Sequence, residues 1–408
     1  MTSFACAQEK SRADVWKKSS VVKTYKTAMK DKKYADARKA IDGAMGKFAE
    51  AKGDAQLYML KMNALDEMIA QENRKIYLNQ KPDTAQYFNL IYELYNTGLM
   101  CDSVEQEYIL TKRSLGKKAD EKYRSTAASK MISYRKKIIT AGKFFYTKKN
   151  YKKAFEFFNI YSSSKTSEVF SAKMYKSELE SETNSVEVAS LALLSAYASS
   201  NHQGVINYLS EALKNKTLED KTLEIGAKAF AALGDSVEMV NLLENGFYNY
   251  PAEEYFFLSL TKYYNDHGMF DKALTKAVKM TEMFPNKRDY LFVRGKEEVL
   301  LEQYENAKQT FAKCVEIKAD DAESYSALGN IYLHEAHELY SHFNLTKNDK
   351  NYAKKKAEID SAYKKAMENF ENAKKFDEAK KSLWFDGLSE VYFKLNKGKE
   401  LNGLDKYR

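Results

Sequence analysis

A chain of 408 residues with only three prolines and sixteen glycines has few breakers, so helix is its default, and strand-type alternation is nowhere sustained. Its formal charge is +9, and no run of about eighteen apolar residues occurs, so nothing in it reads as a membrane span. No glycine-rich phosphate loop, G-x-S-x-G motif, paired carboxylates or Cys–His arrangement stands out, so neither a cofactor nor enzymatic chemistry is expected.

The chain opens MTSFACAQEK, and Ala5-Cys6-Ala7 before Gln8 has the small–x–small pattern of a secretory cleavage site. Residues 1–7 are therefore expected to be the remnant of a signal peptide, and the protein to be exported to the periplasm or cell envelope. Lipid attachment at Cys6 is the weaker alternative, because Ser3-Phe4-Ala5 lacks the usual leucine. An accidental match would leave the protein cytoplasmic. Residues 8–183 are expected to hold irregular helical hairpins. Val21, Ala28, Tyr34, Ala37, Ile41 and Ala44 mark one, and Tyr87, Leu90, Leu94 and Gly98 a degenerate second. Gly98 reads there as a breaker, with Cys101 beyond it partly exposed.

Between residues 112 and 153 fifteen Lys and Arg face only Asp120 and Glu121, a local charge of about +13. This basic segment reads as solvated helix faces, or as a positive face for an acidic protein, a polyanionic glycan or a lipid head group. Tyr134, Phe144 and Phe145 fall on apolar helical spacing and are assigned to the core, so nucleic acid is not expected. Ile138, Ala141, Gly142, Phe145, Tyr151, Ala154, Phe158 and Tyr161 form a good hairpin, out of phase with the later part of the chain because of a Ser-rich stretch near 162–185.

A repeat begins at about residue 184. Pro251 and Pro285 lie thirty-four residues apart, as do Gly234 and Gly268, Phe230 and Tyr264, Leu223 and Phe257, and Leu291 and Tyr325. Such a period means stacked copies of one small unit. In residues 254–287, Phe257, Leu260, Thr261 and Tyr264 lie on one helix. Gly268 breaks it, Phe270, Ala273, Ala277 and Met280 lie on a second, and Pro285 stops that one. Residues 288–321 and 322 onward repeat the columns with Leu291, Gly295, Tyr304, Ala307, Phe311 and Cys314, then Tyr325, Leu328, Gly329 and Tyr332. These columns resemble the tetratricopeptide repeat family. The resemblance implies an all-α, right-handed α–α superhelix of antiparallel helix pairs. Residues 184–408 are expected to form its array, with an elongated unit at 322–376 and a terminal capping helix through Trp384, Leu388 and Tyr392.

In that family the first helix of each unit lines a concave groove. The resemblance carries this role to Tyr255, Leu258, Lys262 and Asn265, to Phe292 and Lys296, and to Lys228 and Asn330. Position nine of successive units reads Lys228, Lys262, Lys296, Asn330, a ladder suited to an extended acidic segment or a terminal carboxylate. The expected function is a non-enzymatic scaffold holding a protein or peptide segment in this groove. The alternative is a structural or homo-oligomerising subunit of an envelope assembly. His334, His337, Glu338 and His342 could share one helix face and hold zinc or copper, but the spacing is not that of a zinc protease and no resident metal is expected.

Overall fold

The computed structural model describes residues 16–407 except 79, and these fold as helices without strands. The Ala5-Cys6-Ala7-Gln8 pattern lies outside the described residues. The chain forms two units, one up to Met239 and one from Val240. In the first, α1 (Lys18–Lys30) pairs with α2 (Tyr34–Lys47). A short α3 (Ala49–Lys52) follows, then α4 (Ala55–Tyr77) and α5 (Thr84–Ser114), α6 (Arg124–Thr147) and α7 (Tyr151–Ser164). After α8 (Lys173–Glu180) come α9 (Ser185–Ala198) and α10 (His202–Ala212), with α11 (Glu219–Leu233) packed on α10. The break between units falls inside α12 (Ser236–Asn249). The second unit continues with α13 (Glu254–Asp266) and α14 (Phe270–Met283), then α15 (Arg288–Leu300) and α16 (Tyr304–Ile317). Then come the longer α17 (Ala322–Ser341) and α18 (Tyr352–Phe376), and finally α19 (Phe385–Lys394) and α20 (Gly398–Asn402). Within each unit a helix packs chiefly on its neighbours in the chain. No helix among the described residues is long and apolar enough to cross a membrane.

The thirty-four-residue period has a backbone cause. Gly234, Gly268 and Glu302 all take left-handed φ values, of 79°, 68° and 57°. At each corner the next amide reaches back to a carbonyl in the last turn of the preceding helix. Asp235 donates to Phe230, Met269 to Tyr264 and Gln303 to Glu298. This closure satisfies orphan helix carbonyls and turns the chain. Lys32, Lys149, Ser200 and Asn396 sit in the same conformation at other corners. Glycine adopts it without Cβ strain, so Glu302→Gly is expected to raise stability by about 1 kcal/mol, read from urea unfolding.

Close helix approach has a second recurring cause. A Cβ built on Gly295 would stand 2.8 Å from the Phe311 ring, and one on Gly329 would stand 2.8 Å from Phe370. Gly142 relates to Phe158 in the same way. Each glycine thus leaves room for one aromatic ring.

Two readings from the sequence change here. Gly98 does not break a helix: α5 runs through it unbroken, and its missing side chain admits Met131 and Met62. Cys101 is correspondingly fully buried. Its thiol donates to the Ala55 carbonyl at 3.4 Å, and burial pushes its pKa up to about 12. In the Ser-rich stretch, Val169, Phe170, Tyr175 and Leu179 are buried in the same core as α6 and α7.

An apolar cleft in the second unit

Helices α15, α16 and α17 line an open cleft of about 390 Å³. Phe311 on α16 lies over Gly295, and Phe292 meets it edge-on at 5.6 Å between ring centroids. Val299 and Leu300 line one side, and Ala327 and Ile331 line another. Lys296 and Asn330, both exposed, complete the lining. His334 closes one end by packing on Tyr304 at 4.6 Å between centroids. Beyond that pair is a second hollow, lined by Glu302, Glu305, Glu335 and Glu338 around Lys308. The cleft therefore has an apolar interior, an ammonium and a carboxamide at its margin, and a carboxylate-rich hollow alongside.

The sequence-derived residues are not all placed alike. Phe292, Lys296 and Asn330 gather around Phe311. Tyr255, Leu258, Lys262 and Asn265 stand one repeat earlier, on α13. Leu258 is exposed and Tyr255 half-buried, its ring against Phe256. Lys262 is exposed and paired within its own helix to Asp266 at 2.7 Å. Lys228 belongs to the first unit and pairs with Glu224 at 2.5 Å. Two rungs of the lysine ladder thus carry carboxylate partners from their own helices.

Asn265 is engaged between repeats. Its Nδ2 donates to Glu297 Oε1 at 2.9 Å, while Asn265 Oδ1 and Glu297 Oε2 are buried with no partner among the described residues. Desolvation raises the Glu297 pKa, so its carboxylate is held against burial. The folded pKa exceeds the unfolded one. The contribution of Glu297 is therefore most favourable below the ordinary carboxylate range and is lost as pH rises through the folded value. Glu297→Gln removes the buried charge and adds a donor. It is expected to add about 1 kcal/mol at neutral pH and to flatten the mildly acidic limb of the stability–pH curve, as thermal unfolding at several pH values would show.

The histidines disperse. His334 stacks on Tyr304, and His337 Nε2 lies 2.6 Å from Glu390 Oε1 on α19. His342 lies 3.9 Å from Glu338. No group of three metal-binding side chains gathers among the described residues. The basic segment also separates. Lys112, Arg113, Lys117, Lys118 and Lys122 lie at the α5–α6 corner, whereas Lys148, Lys149 and Lys152 lie at the α6–α7 turn. The 24 residues of α6 stand between them, roughly 35 Å of helix. Arg124, Lys130, Arg135, Lys143 and Lys153 are paired with carboxylates.

Sequence reasoning missed Val299, Leu300, Tyr304, Phe311, Ile331 and His334 as parts of one site. Val299 and Leu300 lie on α15, the first helix of their repeat, which the resemblance already assigns to the groove. Phe311 and Tyr304 come from the second helix, which that pattern does not place there.

These helix pairs and their repeated corners define a tetratricopeptide-like, helical-repeat fold. No protein-family model matches the chain, and no curated protein matches it. Among solved structures it is similar to the C-terminal part of a tetratricopeptide-repeat protein from Cytophaga hutchinsonii, at 16% identity and a TM-score of 0.36, covering 61% of this chain and 99% of that one. It is similar also to a tetratricopeptide-repeat protein from Parabacteroides merdae, at 13% identity and a TM-score of 0.34, covering 64% and 99%. A third is a repeat protein from Bacteroides fragilis, at 15% identity and a TM-score of 0.30, covering 63% and 97%.

Proposed function

We propose that the protein is a non-enzymatic scaffold that holds a partner polypeptide segment in the α15–α17 cleft. The observation that carries this reading is the cleft itself, an apolar cavity of about 390 Å³ with Lys296 and Asn330 at its margin. A bulky apolar side chain would fill it over Phe311, releasing water from Val299, Leu300 and Ile331. A carboxylate, from a side chain or a chain terminus, would lie against Lys296 and Asn330 and fix the register. Lys262 contributes less, because Asp266 already neutralises it. We also propose export to the cell envelope, on the Ala5-Cys6-Ala7-Gln8 pattern alone; sequencing the amino terminus of protein from its native cells tests it.

The test is a random-peptide array probed with the full chain. Enriched peptides should pair a large apolar residue with a nearby acid or free carboxyl terminus. Ala327→Trp fills the cleft and should weaken their binding about thirtyfold. Lys296→Glu should weaken them about tenfold, and Lys262→Glu little. Equal binding by wild type and Ala327→Trp would refute the assignment.

A further inference from the structure

We propose that the α5–α6 corner is a docking tip for a bilayer surface rich in anionic lipid. The tip is a projection with a fixed base. The Cys101 thiol meets Ala55, the first residue of α4. The buried Glu105 carboxylate accepts the backbone amides of Lys122, Tyr123 and Arg124 at 2.7–3.1 Å, capping the start of α6. Arg124 Nε adds a bond to Asp102 Oδ1 at 2.5 Å. Both neighbouring helices therefore begin level with residues 101–105, and α5 runs on for about nine residues, roughly 13 Å. One side of this extension is covered, since Ile109 is buried.

The other side is open and amphipathic. Tyr108, Lys112 and Leu115 fall at i, i+4 and i+7, on one face. Tyr108 is 56% exposed and Leu115 63%, and the Lys112 ammonium lies 5.3 Å above the Tyr108 ring. Gly116, at φ 70°, ends the helix, and the amide of Lys117 returns to the Lys112 carbonyl at 2.9 Å. Arg113 braces the returning loop through the Ala119 carbonyl at 3.5 Å. Lys117, Lys118 and Lys122 are exposed and have no acidic partner among the described residues.

The shape and the chemistry select the occupant. A protein partner would need a pocket matched to a protruding leucine and tyrosine. A bilayer surface accepts such a tip without matched relief. The apolar residues enter the boundary of the acyl chains while the ammonium groups stay at the phosphates. At this corner Lys112, Arg113, Lys117, Lys118 and Lys122 outnumber the exposed Glu107, Asp120 and Glu121, and Tyr108, Leu110 and Leu115 are exposed, a net positive and apolar tip that matches a negative surface of lipid head groups. This proposal is independent of the α15–α17 cleft.

Flotation of the full chain with phosphatidylcholine vesicles, with and without phosphatidylglycerol, tests it. Binding is expected only with the anionic lipid, and should weaken as salt is added. The double variant Lys117→Gln, Lys118→Gln should bind about thirtyfold more weakly, at about fivefold per lysine. Leu115→Ser should lose about tenfold, and Leu115→Trp should show blue-shifted emission on the anionic vesicles. These residues are exposed, so the variants should retain the wild-type circular dichroism. Equal flotation with neutral vesicles, or wild-type binding by the double variant, would overturn the proposal. So would retention on heparin or polyglutamate that Leu115→Ser weakens as much as it weakens flotation, since that would assign the tip to a macromolecular polyanion.

Discussion

Replacing Arg135 by alanine is expected to remove about 4 kcal/mol from the unfolding free energy of the first unit. Arg135 is 2% exposed, and its guanidinium is used almost completely. Nε meets Glu182 Oε1 at 2.6 Å, and Nη2 meets Glu182 Oε2 and the Tyr161 carbonyl, each at 3.0 Å. Nη1 reaches Ser164 Oγ at 3.0 Å, and the group lies 4.0 Å over the Tyr161 ring. One side chain on α6 thereby fixes the end of α7 and the segment leading into α9. Alanine would leave Glu182 without its counter-charge and the Tyr161 carbonyl without its donor, and unpaired groups of this kind dominate the cost. A paired substitution separates the two contributions. Arg135→Met with Glu182→Met should recover roughly half of the loss, because neither charge is then orphaned. Urea unfolding of both variants is the measurement. A single-variant loss below about 1 kcal/mol would show that the network adds little.

Asp321→Ala should cost about 3 kcal/mol, mostly in the second unit. Asp321 is 2% exposed, accepts Arg288 Nε at 2.6 Å and also bonds Arg288 Nη2 and Ser324 Oγ. Arg288 opens α15 and Asp321 precedes α17, so this pair joins one repeat to the next at the first turns of these helices. The same Arg288 bonds Glu323 at 3.1 Å, but Glu323 is far more open to water, and Glu323→Ala should cost below about 1 kcal/mol. Hydrogen exchange should show the damage concentrated in α15–α17, since stability in a repeat array is roughly a sum of local and nearest-neighbour contributions. Uniform loss of protection along the chain would contradict this.

The repeated columns gave the helix pairs from 184 onward because each has one physical task. Gly268 relieves a left-handed corner, Gly295 admits Phe311, and Ala273 and Ala277 pack without exposure. Where the same tasks fall to other residues the pattern blurs. Glu302 turns its corner without glycine, and Gly98 serves close packing inside a helix, so both were legible only in the folded structure. The same holds for the cleft. Lys296, Asn330 and Phe292 could be found from repeat position, because a position fixes a face. The pairing of Lys262 with Asp266 and of Asn265 with Glu297 could not, since it depends on side-chain rotamers and on a neighbour thirty-two residues away. Charge counting also missed the division of the basic segment, because composition does not register that α6 separates its two ends.

The packing of each helix chiefly on its neighbours in the chain bears on how the protein reaches this state. Contacts between residues close in sequence require little loop closure before they form, so the contact order is low for a chain of this length. Folding can start at whichever hairpin forms first and extend by adding pairs. Under a stretching force the chain should yield in steps, one or a few hairpins at a time, with the Arg135 and Arg288 networks as the points that give way last.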